Sequence, residues 1–209
     1  MKKKSTLTDA EVIDIIINFL KTIAPLSRRL EKTLRELLVV DRLRRKHKLL
    51  KYGEISDRVY FVVDGLVRAF HLDENRWERT DWIMTKSDVI IGVDSFYTRE
   101  PGEEDIETLE RTIVGSISYA ELEMLYDKFI GFNRVGRILN QEYNVRARKR
   151  AKELGILDAS VRYAVFKERY PEFGGRVHAK YIASYIGVDE TTLSRIKNGK
   201  YNIPKKQKR

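Results

Sequence analysis

The chain has 209 residues, enough for one large domain or two smaller ones with separate hydrophobic cores. It contains no cysteine, which excludes disulfides, thiolate zinc sites, cysteine-ligated iron–sulfur clusters and a cysteine nucleophile. The formal net charge is +10, from 41 Lys and Arg against 31 Asp and Glu, and its distribution along the chain is informative.

The start of the chain resembles the charged beginning of an export signal. Acidic residues follow it at once, however, and the apolar run of residues 15–20 is interrupted by Asn18. The sequence therefore predicts no export signal and no membrane span, and a cytoplasmic protein is expected.

Two helices are predicted before residue 40. Residues 8–23 have helical apolar spacing, with Thr8 and Glu11 in the arrangement of a capping box. Ser27 can cap a second helix over residues 28–39, in which four leucines form one stripe. These helices are expected to pack at the start of a domain.

From about residue 42 the pattern changes to short strands separated by polar or glycine-containing turns. The pair Asp64-Gly65 lies between two β-rich runs and is the strongest hairpin signal in the chain. Strand-like runs are predicted at residues 42–51, 59–63, 66–72, 77–84, 88–93 and 106–118. Many short strands with no helices between them predict an antiparallel sandwich or barrel.

A long helix follows the strands. Helical character resumes at residues 119–128, and a longer helical segment extends over residues 131–157. Apolar residues recur in it at steps of three and four, the spacing of a seam between two helices; they are Phe132, Val135, Leu139 and Tyr143. The pattern also fits a helix that lies on its own barrel, and a DNA-binding role favours the dimer seam.

After a further helix ending before Pro171, residues 179–198 predict two short helices joined by a sharp turn at Gly187. Ala183 is small enough for close helix packing, and Asp189 is suited to cap the second helix. The polar residues presented outward are Lys180, Thr191, Thr192, Ser194, Arg195 and Lys197. An ordinary αα-hairpin is the alternative, but a helix with these side chains fits the DNA major groove.

The charge is divided unevenly between the two parts of the chain. Residues 146–209 carry 17 Lys and Arg against 6 Asp and Glu, a net charge of +11, whereas residues 1–145 carry 24 against 25. Attraction to phosphate requires such a concentration of positive charge, so DNA is the expected partner. The basic tail, residues 200–209, is either a frayed terminus or a further phosphate contact.

The order of these elements, with its motifs, resembles the Crp/Fnr family of bacterial transcription regulators, in the style of the subgroup common in Bacteroidetes. The resemblance covers residues 28–199 and is most specific in the hairpin and the helix-turn-helix. The matching segments are Lys51–Glu54, Val59–Arg68, Ser116–Tyr119, Val161–Tyr163, Lys180–Val188 and Thr192–Ile196.

The resemblance implies a role for the second helix of the motif. Arg195 stands where the family places an arginine that reads a guanine edge. Thr191 stands where the family often has a glutamate that reads cytosine, so the operator sequence stays open. Thr192, Ser194 and Lys197 are expected to contact phosphates, which position the protein without specifying sequence.

For the effector, the resemblance implies a pocket near Gly92, Val93, Phe96 and Arg99. Val93 replaces the glutamate that contacts the ribose in nucleotide-binding members. Acidic residues between Glu103 and Glu107 stand where the arginine for the cyclic phosphate is expected, and they are interpreted as a solvated turn. Cyclic AMP is therefore not the expected effector, and the pocket either takes another small molecule or stays empty.

Other functions are less well supported by the sequence. Haem sensing would need a histidine ligand, and His47 and His71 have ordinary surface interpretations. A metal-dependent barrel enzyme would need several converging histidines, and the chain has three in total. No metal, no iron–sulfur cluster and no enzymatic activity are expected. A ligand-sensing module that signals through protein contacts remains the alternative to a DNA-binding regulator.

The predicted protein is thus of the α+β class. It consists of a β-roll of the cyclic-nucleotide-binding kind with its N-terminal helices (residues 1–130), a dimerisation helix (131–157) and a winged helix-turn-helix domain (158–209). A homodimer on a palindromic operator is expected, with RNA polymerase as a further candidate partner.

Overall fold

The computed structural model describes residues 7–201. The eight α-helices of this part are α1 (Asp9–Ile23), α2 (Arg28–Leu37), α3 (Val93–Thr98), α4 (Tyr119–Lys128), α5 (Ile130–Ile156), α6 (Ala159–Arg169), α7 (Ala179–Tyr185) and α8 (Glu190–Lys197). The strands are β1 (Val39–Leu43), β2 (Lys48–Leu50), β3 (Arg58–Asp64), β4 (Val67–Leu72), β5 (Glu78–Met84), β6 (Val89–Ile90), β7 (Glu104–Thr108) and β8 (Thr112–Ser118). The α+β class and the antiparallel roll predicted from the sequence are confirmed.

The strands form two four-stranded antiparallel sheets. One sheet has the order β1-β8-β3-β6 and the other has the order β2-β7-β4-β5. The hairpin predicted at Asp64-Gly65 joins β3 to β4, and Gly65 has φ of 108°. A Cβ on Gly65 would lie 2.5 Å from the Thr112 hydroxyl oxygen, so this turn requires glycine for both space and conformation.

Helices cover one face of the first sheet. Buried residues of α1 and α2 pack with alternate residues of β3, including Val59 and Phe61, and with Leu125 of α4. The predicted capping box is present at the start of α1, where the Glu11 backbone N–H donates to the Thr8 hydroxyl at 3.3 Å. A second cluster, which includes Val62, Val67 and Ile106, lies on the opposite side of β3 and joins it to the second sheet.

The chain divides into two compact units. Unit 1 contains the residues up to His71 and Trp82–Gln141, and unit 2 contains Leu72–Asp81 and the residues from Glu142 onward. The tip of the β4–β5 hairpin thus belongs with the C-terminal helices, and α5 contributes residues to both units. The domain boundaries predicted at 130 and 157, which follow the ends of the long helix, stay a prediction.

Some local predictions differ from the structure. The segment after β6 contains α3, although the sequence pattern gave no helix among the strands. Between α6 and α7 the described residues contain a short 3₁₀ helix, Pro171–Phe173, and no strand, so this segment does not supply a wing. The basic tail from residue 202 lies outside the described residues.

Candidate nucleic-acid interface and effector segment

The turn between α7 and α8 is closed by a Schellman motif. Gly187 has φ of 72°, its N–H donates to the Ser184 carbonyl at 3.0 Å, and the Val188 N–H donates to the Ala183 carbonyl at 3.0 Å. These bonds satisfy the carbonyls at the end of α7 and fix the direction in which the chain leaves it. Ala183 is 1% exposed, in agreement with the predicted need for a small residue there. The two helices and the turn of the predicted motif are therefore confirmed.

Both ends of α8 are also capped. The Thr192 N–H donates to the Asp189 carboxylate at 2.7 Å, and this bond lowers the pKa of Asp189 below its usual range. At the other end, Gly199 has φ of 65°, and the Lys200 N–H donates to the Arg195 carbonyl at 2.8 Å. The second cap repeats the Schellman geometry, so α8 is a short helix with defined ends.

Most of the predicted DNA-contacting residues are exposed. Leu193 is buried, whereas the side chains at the surface are Lys180, Thr191, Ser194, Arg195 and Lys197. On α8, Thr191, Ser194, Arg195 and also Asn198 lie on one face at steps of three and four residues. Thr192 is half-buried, and its hydroxyl donates to Asp189 at 2.9 Å, so its first role is to cap the helix.

Arg162 of α6 holds the turn between α7 and α8. Its Nε donates to the Ile186 carbonyl at 2.7 Å, and its Nη1 donates to the Leu157 carbonyl at 2.8 Å. The sequence placed Arg162 in a segment matching the family but gave it no role. A cation that binds carbonyls at helix ends is stabilising, so Arg162 fixes the end of α7 and the turn that leads to α8.

Arg150 makes a comparable contact with the end of α7. It donates to the Tyr185 carbonyl at 2.8 Å, and its guanidinium carbon lies 3.8 Å from the centre of the Tyr185 ring. Tyr185 is buried in an aromatic cluster with Phe166, Tyr170 and Phe173. The cavity beside these groups measures about 10 Å³, which is room for about one water molecule. This cavity is therefore too small to hold a small-molecule ligand.

The four residues of the predicted dimer seam have different surroundings. Phe132 and Val135 are 2% and 1% exposed and pack in the core of their own unit. Leu139 is half-buried against the same core, and Tyr143 is half-buried. The apolar side of the first two turns of α5 therefore packs on its own unit, and the dimer seam stays a prediction.

The predicted effector segment is packed with the protein's own side chains. A Cβ on Gly92 would lie 2.5 Å from Cδ2 of Leu50, and the Gly92 N–H donates to the Ser56 hydroxyl at 3.1 Å. Val93 begins α3. Phe96 is 1% exposed and contacts the Tyr119 ring edge-on, so it is part of the core rather than the lining of an open pocket.

Arg99 is the one cation in residues 91–107, and its guanidinium is already bound. It pairs with the Asp57 carboxylate at 2.5 Å and donates to the Ser56 carbonyl at 2.8 Å. The same group lies 4.0 Å from the centre of the Tyr119 ring. A phosphate in this segment would have to displace these contacts before it could use Arg99.

The acidic residues near the end of the segment are not the solvated turn that the sequence suggested. Glu107 lies in β7, is 7% exposed and accepts from Arg68 Nε at 2.8 Å. Lys48 lies 3.1 Å from Glu107 and 3.1 Å from Asp105. Burial raises the pKa of Glu107, but attraction to Arg68 and the bonds from Arg68 and Lys48 outweigh it and hold the pKa below its usual range. Because these carboxylates are paired with cations, their repulsion of a phosphate is weaker than the sequence alone implied.

Two further features concern metals and membranes. Within residues 7–201, no group of three or more histidine, aspartate or glutamate side chains is placed to hold a metal ion. No helix in the described part of the chain is long and apolar enough to cross a membrane.

Comparison with known proteins supports the fold of the roll. Residues 40–129 match the family model of the cyclic nucleotide-binding domain. No curated protein sequence matches the chain significantly. FixK2 from Bradyrhizobium japonicum is 19% identical, with a TM-score of 0.67 over 78% of this chain and 84% of that one.

Two other solved structures show how far the similarity extends. The c-di-GMP responsive global regulator CLP of Xanthomonas campestris is 14% identical, with a TM-score of 0.64 over 83% of this chain and 91% of that one. The regulatory subunit of a cAMP-independent protein kinase A from Trypanosoma brucei is 18% identical, with a TM-score of 0.52, and the match covers 65% of this chain and 48% of that one. At these identities the likeness shows the fold, and residues 40–129 therefore have the fold of a cyclic nucleotide-binding domain.

Proposed function

We propose that the chain is a sequence-specific, DNA-binding transcription regulator of the Crp/Fnr type, acting in the cytoplasm as a homodimer. The observation that carries this proposal is α8, a helix capped at both ends whose exposed face holds Thr191, Ser194 and Arg195. Arg195 reads a guanine, and Thr191 sets a base preference that differs from the glutamate-bearing members. Support also comes from the net charge of +11 in residues 146–209 and from the likeness to FixK2 and CLP.

The proposed dimer forms along α5 and pairs two copies of α8 on a palindromic operator. Because Phe132 and Val135 are buried in their own unit, the contact between chains uses Tyr143 and the exposed side of the later turns. The large apolar side chains exposed there are Val145, Leu154 and Ile156, at 52%, 39% and 58%. Two recognition helices would then lie about one helical turn of DNA apart.

The roll regulates this activity without cyclic AMP. Arg99 is bound to Asp57, Ser56 and Tyr119, and Leu50 fills the space beside Gly92. These contacts support an effector other than a cyclic nucleotide, because they occupy the segment where the family resemblance places the cyclic phosphate. The effector is either a different small molecule or absent. The proposed role is regulatory rather than enzymatic. The proposal also includes RNA polymerase as a further partner and membership of the subgroup common in Bacteroidetes.

Selection of bound duplexes from a random pool, followed by titration of the selected duplex, tests this function. The expected result is enrichment of two inverted half-sites, with two chains bound per duplex. The logarithm of the affinity should fall linearly with the logarithm of salt concentration, by about 0.9 for each phosphate neutralised. Absence of any enriched sequence at physiological salt would contradict the proposal and favour a sensing module that acts through protein contacts. The kinase regulatory subunit from Trypanosoma brucei is a protein of similar fold that is not a transcription regulator by its description.

A further inference from the structure

The tip of the β4–β5 hairpin, Leu72–Asp81, belongs to the same compact unit as α7 and α8. Asp73 accepts from the backbone N–H of Asn75 and of Trp77, both at 2.9 Å, and from Nε of Arg79 at 2.7 Å. The bond from the Trp77 backbone is the main cause that lowers the pKa of Asp73. A turn held by three bonds to one carboxylate gives the start of β5 a fixed position within the unit.

β5 is an edge strand, so one row of its backbone groups faces no neighbouring strand. Side chains of two helices satisfy these groups instead. The Thr80 N–H donates to Oγ of Ser184 at 2.7 Å, and Oγ of Ser184 donates to the Glu78 carbonyl at 3.0 Å. Nη2 of Arg150 donates to the Thr80 carbonyl at 3.0 Å. Together, Ser184 and Arg150 supply the donors and acceptor that a neighbouring strand would otherwise provide.

These contacts reach the helix that precedes the reading helix. Ser184 lies in the last turn of α7, and its carbonyl accepts the Gly187 N–H of the Schellman motif. Arg150 donates to Thr80 and also to the carbonyl of Tyr185, the last residue of α7. Thr80 is 2% exposed, so its hydrogen bonds with Ser184 and Arg150 are shielded from water. Hydrogen bonds are stronger in such an interior than in water.

We infer that the edge of β5 is a brace for the helix-turn-helix, and that Ser184 and Arg150 are positioning residues for DNA recognition. This inference rests on the proposed function and extends it. The brace fixes the end of α7 and hence the turn and the start of α8. Loss of the brace would therefore lower the affinity for DNA.

The variant Ser184→Ala removes both hydrogen bonds of the serine and keeps a good helix former. Thr33→Ala is the matched control, because Thr33 is a half-buried helical residue whose hydroxyl donates to the Arg29 carbonyl at 3.0 Å. Hydrogen exchange of the full-length protein should be faster at the amides of Thr80, Gly187 and Val188 in Ser184→Ala, on the order of tenfold, and unchanged there in Thr33→Ala. Affinity for the selected duplex should fall by a similar factor, and Ser184→Thr should restore part of both effects.

Hydrogen exchange and DNA affinity, measured together, separate failure of the brace from failure of the proposed function. If the wild-type protein binds the duplex and Ser184→Ala changes neither the Thr80 exchange nor the affinity, the brace is wrong. If the affinity falls with unchanged exchange at Thr80 and Gly187, Ser184 acts by direct contact and the brace is again wrong. If the wild type selects no duplex but Thr80 exchange responds, the contact is structural, and it is the DNA-binding function that fails.

Discussion

Replacement of Arg162 by alanine should loosen the turn between α7 and α8 without removing any residue that faces DNA. Arg162 extends from α6 to the carbonyls of Ile186 and Leu157 at 2.7 and 2.8 Å. Two longer contacts, 3.4 Å to Gly187 and 3.5 Å to Leu154, contribute little at these distances. The substitution therefore removes two good hydrogen bonds from a charged donor.

The expected loss follows from these two bonds. A hydrogen bond that involves a charged group contributes about 1.5–3 kcal/mol to stability. Because Arg162 is half-buried, water can reach the abandoned carbonyls, and the lower end of that range applies to each bond. The free energy for opening the turn should fall by about 3 kcal/mol, and Arg162→Lys should lose about half as much, since an ammonium lacks the planar fork of the guanidinium.

Hydrogen exchange at the Gly187 and Val188 amides measures this opening directly, because both amides bond carbonyls at the end of α7. Arg148→Ala is the control, since Arg148 is an exposed arginine of the same unit, and its effect should stay within about 0.5 kcal/mol. DNA affinity should also decrease in Arg162→Ala. Equal exchange rates in Arg162→Ala and wild type would refute the positioning role assigned to Arg162.

Three further outcomes are expected. Gly187→Ala should lower stability by about 1–2 kcal/mol because φ is 72° there, whereas Gly174→Ala, at φ of −56°, should be close to neutral in thermal unfolding. Glu107→Gln should cost about 3 kcal/mol because it removes the carboxylate that pairs with buried Arg68, and Glu103→Gln at an exposed position is the control. Since the folded-state pKa of Glu107 is lowered, its stabilisation is present above the unfolded pKa of about 4.3 and is lost as pH falls through the folded value, so the two proteins should converge in acid. Cyclic AMP should not shift the melting temperature; a ligand at 100 times its dissociation constant would add about 2.7 kcal/mol, and a clear shift would contradict the bound state assigned to Arg99.

Local signals in the sequence were sufficient for the elements with strong caps and turns. The two helices on either side of Gly187, the hairpin at Gly65 and the long helix lie within one or two residues of their predicted positions. In each case the signal is contained in a few neighbouring residues, such as a glycine with positive φ or the Asp189 N-cap. The short helix α3 was missed because its six residues are rich in β-branched and aromatic types and too few to show a helical period.

The features that the sequence did not predict depend on contacts between residues far apart in the chain. The spacing of Phe132 and Val135 identified an apolar stripe, but spacing does not say whether the stripe meets its own unit or a second chain. Glu107 appeared as one of several acidic residues because its partner, Arg68, lies 39 positions away. The role of Arg162 was invisible for the same reason, since it depends on carbonyl groups that every residue carries.

The central claim is that α8 reads base edges through Arg195, and half-site base preference tests it most directly. Selected duplexes substituted one base pair at a time should be titrated with wild type, Arg195→Ala and the control Arg134→Ala, whose arginine is exposed on α5. The wild type and Arg134→Ala should lose affinity by about 1–3 kcal/mol when the guanine read by Arg195 in one half-site is replaced. Arg195→Ala should bind the original duplex and the duplex with that guanine replaced equally, and a variant that keeps the full guanine preference would contradict the account.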